Sequence, residues 1–151
     1  MPHPVVYRGN LDDLIAEWKR LETTQVANGQ CARLPQEYTD VGHTSRWKRG
    51  ARVLDTADLA PGTVIANFKL VENRWRYPNQ SGWHAALFHS FGEAGRDAKG
   101  KPTQINMVDQ WVNKAPGKRN VRSWSEADRR RDPRLRDGAN EASEFYVVVV
   151  D

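Results

Sequence analysis

The stretch NGQCARLPQEYT, residues 28–39, contains the only cysteine of a 151-residue chain. Asn28-Gly29 is a turn signal. Pro35 is tolerated in a helix only in its first turn, where backbone donors have no intrahelical partner. The proline therefore predicts a helix that begins at or just after Cys31 and runs towards Tyr38. A thiol placed there sits at the positive end of the helix dipole, which lowers its pKa and favours thiolate. One cysteine can close no internal disulfide and is too little for a metal cage. Cys31 is then a small buried hydrophobe, an accident or a nucleophile.

Upstream of this stretch, apolar residues fall at Leu11, Leu14, Ile15, Trp18 and Leu21, the spacing of a helix with one buried face. Asn10 is its expected N-cap, with Asp12 and Asp13 in the first turn. Downstream of residue 60 the pattern changes to strands. LAPGTVIANFKL (59–70) reads as a Pro-Gly turn and a β-branched run, and NRWRYPNQSG (73–82) as a short strand and a turn-rich loop. WHAALFHSF (83–91) is predicted as a continuous strand, GEAGRDAKGKP (92–102) as a flexible hairpin loop, and TQINMVDQWV (103–112) as the partner strand. Residues 126–141 read as a charged loop or short helix, and SEFYVVVV (143–150) as a final, central strand. Helices first and an antiparallel sheet afterwards give the α+β class. Without repeats or a linker, residues 1–151 are expected to be a single domain.

Mean hydropathy is −0.78 and 38% of the residues are hydrophobic, so the surface is strongly polar. The longest apolar run is strand-sized, and no membrane span is expected. MPHPVVYRGN lacks a charged leader followed by an apolar core, so no signal peptide is expected. The chain is then cytoplasmic, or exported by a route that reads no cleavable leader. A formal charge of +4 favours anionic partners. RWKRGAR (46–52) and RRRDPRLR (129–136) carry much of it and are read as solvated loops. The aromatic and zinc-finger signatures of nucleic-acid binders are absent, which makes nucleic acid an unlikely partner.

A nucleophilic cysteine needs a base, and the histidines are His3, His43, His84 and His89. His3 lies near the terminus and His43 in the VGHTSRW loop. His89 is out of phase with His84 and faces the other side of the sheet. His84 opens a predicted strand after a Gly-Trp turn, where it can meet a cysteine at a helix start. Asp109 and Gln110, on the strand expected to pair with 83–91, point to opposite faces. Asp109 is the expected orienting acceptor, because a carboxylate also stabilises the imidazolium.

The ordered set GQC (29–31), PGTVIANF (61–68), HAALF (84–88) and VDQW (108–111) resembles the NlpC/P60 and CHAP cysteine amidases and peptidases. The resemblance covers roughly residues 25–112 and the last strand. The Asp-Cys-Ser signature of NlpC enzymes and the Glu-x-Asn pair of CHAP domains are not present, which bears on the third residue. What the resemblance implies is a papain-like fold, with a cysteine-bearing helix packed on an antiparallel sheet that bears the histidine. It also implies amide hydrolysis through Cys31, His84 and Asp109, without cofactor or metal. Gln25 matches the offset of the papain-like oxyanion glutamine, with Gln30 equally close, and Trp83 and Trp111 flank the site as candidate substrate-binding residues. The implied substrate is peptidoglycan or another anionic wall polymer. The small size also resembles peptidoglycan amidase toxins, for which a specialised secretion route, action in the periplasm or cell wall and an inhibitor (immunity) partner are expected. Two other readings share the fold: an inactive papain-like module that binds an anionic polymer, and an amidase or transacylase acting on protein or lipid.

Overall fold

Asn10 ends an extended segment and its side chain accepts the Asp13 N–H at 2.9 Å, which starts helix α1 (Leu11–Arg20). The computed structural model describes residues 1–92 and 95–151 of the chain. Leu11 and Trp18 are buried, whereas Leu21 caps the helix and is 57% exposed, so the buried face stops one turn short of its sequence pattern. Helix α2 (Arg33–Tyr38) has Pro35 in its first turn, and Cys31 lies in the turn immediately before it.

The remaining elements form a seven-stranded antiparallel sheet and a separate hairpin. The sheet strands are β1 (His3–Pro4), β2 (Lys48–Arg52), β3 (Val64–Ala66), β6 (Ala85–Ser90), β7 (Gln104–Trp111), β8 (Lys114–Arg122) and β9 (Tyr146–Val150). Strands β4 (Lys69–Val71) and β5 (Arg74–Arg76) make the hairpin. Across the sheet, β3, β6, β7 and β8 follow in order, and β9 pairs with β3, β1 and β2. Gly62, at φ +92°, enters β3 where any Cβ would collide with the Tyr7 carbonyl, so only glycine fits this turn.

Strand alternation divides the interior into two cores. Val64, Ala66, Ala85, Leu87, Val108 and Val148 pack against Leu11, Trp18 and Leu34 of the helices. Their neighbours Ile65, Ala86, Phe88, Ile105, Met107 and Val147 pack on the other face against Val53, Leu54, Ala142 and Phe145, which lie in short 3-10 segments and their flanks.

Several expectations change. The run 59–70 splits into two strands, and β6 begins at Ala85, which leaves His84 just ahead of the strand. RWKRGAR, read as a loop, supplies β2, and β8 was not foreseen. RRRDPRLR forms the end of α3 (Glu126–Arg131) and a 3-10 turn, Pro133–Arg136. Of the expected 92–102 loop, residues 93 and 94 lie outside the described residues. Among the described residues no helix is long and apolar enough to cross a membrane.

Candidate active site

Cys31 is held from behind by a buried glutamine. Gln110 on β7 accepts the Val26 N–H at 2.8 Å and donates to the Val26 carbonyl at 2.9 Å and the Gln30 carbonyl at 3.0 Å. These three bonds fix the polar loop 26–30 to the sheet and thus set the position of the thiol that follows it. Gln110 and its neighbour Asp109 point to opposite faces, as strand geometry requires.

Asp109 serves the other side. Its Oδ2 accepts from His84 Nε2 at 2.7 Å and from Arg119 Nε at 2.9 Å, and Oδ1 accepts from Lys114 Nζ at 3.1 Å. His84 and Asp109 are both buried. The imidazole meets the edges of Trp111 and Phe145, with centroids 5.9 and 6.3 Å away. With Nε2 committed to Asp109, Nδ1 is the nitrogen left for the Cys31 thiol, whose pKa the neighbouring imidazole lowers. The structure therefore brings Cys31, His84 and Asp109 together in series.

Tyr77 is the functional neighbour that the sequence pattern did not single out. Its hydroxyl stands 3.2 Å from Cys31 Sγ and 3.5 Å from the Trp83 carbonyl, and its ring packs on Trp47 at 4.8 Å. Nothing periodic marks Tyr77, which sits in the turn-rich loop after β5. Only the fold back of residues 77–83 brings it to the thiol.

The electrostatics follow from these contacts. Burial on its own would raise the thiol pKa, but the hydrogen bond and charge of His84, the Tyr77 hydroxyl and the Ala85 backbone N–H outweigh it and lower it. Burial likewise works against a charged His84, yet Asp109 and Cys31 raise its pKa to about 9. Burial disfavours the Asp109 carboxylate, but the His84 hydrogen bond and charge, with Arg119 and Lys114, lower its pKa to about 2. Burial and the adjacent sulfur push Tyr77 upwards, so the phenol keeps its proton and can donate. The favoured state is a thiolate beside an imidazolium, backed by an ionised carboxylate.

Cys31 and His84 open on a cleft of about 890 Å³ whose lining includes Trp83 and Trp111, and also Arg33, His43, Asp137 and Asn140, with Asp109 buried behind the imidazole. Trp111 is 41% exposed and forms a wall beside His84. Gln25 is elsewhere. Its amide donates to the Ala27 carbonyl at 3.0 Å, its stem packs on Gly29, and it does not line the cleft. The positive φ of Ala27 and Gly29 turns the chain between Gln25 and Cys31, so sequence offset alone misplaced the oxyanion donor. His89 bonds Asp12 on α1, on the opposite face of the sheet. Among the described residues, no three His, Cys, Asp or Glu side chains are grouped as a metal site.

A family model described as Domesticated amidase effector 2 (Dae2) matches residues 16–148. The chain is 35% identical over 133 residues to a "Type VI secretion amidase effector 2 protein" of Salmonella typhi, an alignment covering 84% of this chain and 90% of that protein. A solved structure titled "Type 6 secretion amidase effector 2 (Tae2)" is similar with a TM-score of 0.62 and 35% identity, over 90% of this chain and 93% of that one.

Proposed function

Since the chain belongs to the domesticated amidase effector 2 family, we propose that it is a cysteine amidase that hydrolyses an amide bond in bacterial peptidoglycan peptides. The observation that carries this reading is that Cys31 and His84 line an open cleft while Asp109 is bonded behind the imidazole. The helix-side cysteine and the histidine at the entry to β6 support a papain-like frame of the NlpC/P60 and CHAP kind.

In this mechanism the Cys31 thiolate attacks the amide carbonyl carbon, forming the C–S bond and an oxyanion. His84 Nδ1–H gives its proton to the departing amine nitrogen as the C–N bond breaks, which leaves a thioester. A water then loses a proton to His84 and attacks the thioester. The acid departs and the thiolate–imidazolium pair is restored. Asp109 holds the ring by Nε2–H and stabilises its positive charge. The Cys31 backbone N–H and the Tyr77 hydroxyl are the donors placed for the oxyanion, in the role that Gln25 does not fill.

The titles of the relatives, type VI secretion amidase effectors, support export by that route, and the basic chain suits an anionic wall polymer, which puts the action of the proposed enzyme on the wall in the periplasm. A cell that makes such an enzyme would need an inhibitor partner. The reading is tested by incubating purified sacculi with the protein, and by expressing it with and without an added periplasmic signal beside Cys31→Ala. Soluble peptides released only by the intact cysteine, and lysis only with the signal, are expected. Intact sacculi after incubation with reactive, folded protein would overturn it.

A further inference from the structure

We propose that Arg119 is a positioning residue that fastens one wall of the cleft, residues 137–140, to the carboxylate that orients His84. The proposal rests on the cleft being the substrate site.

Arg119 lies on β8 opposite Met107, two residues along from the Asp109–Gly117 pair, so its side chain shares the face of Asp109. Its guanidinium reaches three ways. Nε donates to Asp109 Oδ2 at 2.9 Å, one terminal nitrogen to Asn140 Oδ1 at 2.8 Å, and the other to the Ala139 carbonyl at 2.8 Å. The same cation lies 5.1 Å from the centroid of the Trp111 ring. Trp111, Ala139, Asn140 and Asp137 all line the cleft. One planar fork thus touches the orienting carboxylate, the aromatic wall and the polar wall. Only a guanidinium has the fixed donors to do so at once.

Charge compensation alone does not explain this arrangement, because Lys114 already pairs with Asp109 Oδ1 at 3.1 Å. A second buried link runs beside it. Asn67 donates its backbone N–H to the His84 carbonyl at 2.9 Å and its side-chain amide to the carbonyls of Glu144 at 2.9 Å and Gly138 at 3.3 Å. The wall therefore hangs from the His84–Asp109 frame at two points, and a substrate seated against it bears on the groups that set the imidazole.

The test separates the fork from the charge. In full-length protein, Arg119→Lys keeps a cation beside Asp109 but cannot span the wall, Arg119→Met removes both functions, and Asn140→Ala removes a wall contact only. Three readouts are taken: iodoacetamide labelling of Cys31 against pH, hydrogen exchange of the Asn140 and Glu141 amides, and initial rates on sacculi of varied concentration. For Arg119→Lys and Asn140→Ala, exchange should quicken and the half-saturating sacculus concentration should rise about tenfold, the scale of one lost net hydrogen bond. KM should change more than kcat, with the labelling midpoint unmoved. Arg119→Met should add a shift of the midpoint. Wall exchange at the wild-type rate in Arg119→Lys and Asn140→Ala would overturn the proposal, as would a midpoint in Arg119→Lys displaced as far as in Arg119→Met. If wild-type protein leaves sacculi intact, the proposed substrate falls, while exchange and labelling still decide whether Arg119 links wall and carboxylate.

Discussion

A phenol that keeps its proton beside a sulfur whose pKa is lowered is a donor fixed in advance, and this is the position of Tyr77 beside Cys31. Tyr77→Phe should raise the thiol pKa and lower kcat by about 100- to 1000-fold, the effect of losing one oxyanion donor. The ring remains packed on Trp47, so circular dichroism should not change. The labelling midpoint of wild-type Cys31 should lie below the free-thiol value of about 8.5, and activity against pH should be bell-shaped. Its acid limb reports the lowered thiol, and its alkaline limb the loss of the His84 proton at about 9. Asp109→Asn removes the larger of the two influences that raise His84, the other being Cys31. Turnover should fall by orders of magnitude, and the alkaline limb should move to lower pH. The same pair bears on stability. His84 is raised from about 6.5 in the unfolded chain, so its contribution is complete below that pH and is lost as pH rises through about 9. Urea midpoints should therefore drop on the alkaline side in Cys31→Ala protein, where no thiolate offsets the imidazolium, and stay flatter when Asp109→Asn is added.

Strand β7 carries opposite duties on alternate residues, with Asp109 towards the histidine and Gln110 towards the cysteine loop. Gln110→Leu would leave the Val26 N–H and the Val26 and Gln30 carbonyls without their partner. The expected loss is about 3 kcal/mol, read from urea unfolding, with a slower alkylation of Cys31 as its loop loosens. The parity of β7 was legible in the sequence, because a two-residue period permits only one of Asp109 and Gln110 to face His84. Helix α2 was legible from Pro35, and α1 from its apolar spacing up to Trp18. Strand β8 was not. Its KAPGKRNVR sequence has no apolar alternation, and Pro116 and Gly117 mimic a turn. As the last strand of the sheet it needs neither two buried faces nor a full set of backbone donors. Strand β2 escaped for the same reason, since its cations stay at the surface and Arg49 stacks between Trp75 and Tyr146. Tyr77 and Arg119 reach the site through long-range packing, which no local pattern records.

At the scale of the whole molecule, the sheet separates two cores and the cleft opens at the end where His84, Trp111 and the Cys31 turn converge. The net charge of +4 predicts that binding of Cys31→Ala protein to sacculi weakens as salt rises and the Debye length shrinks, measurable by co-sedimentation. Salt-independent binding would assign the attraction to the cleft instead of the surface charge. Strand β9 has a further consequence, in time rather than space. Residues 146–150 pair with partners at residues 3–4, 48–52 and 65–66. The sheet therefore cannot close during synthesis until residue 150 has cleared the ribosome, and each of those pairings must first close a long loop. Until then Ile65 and Ala66 lack the strand that covers their edge, and Phe145 is not yet beside the His84 ring. Folding should be slow for a chain of this length, with a nascent chain that remains catalytically silent until its final strand is made.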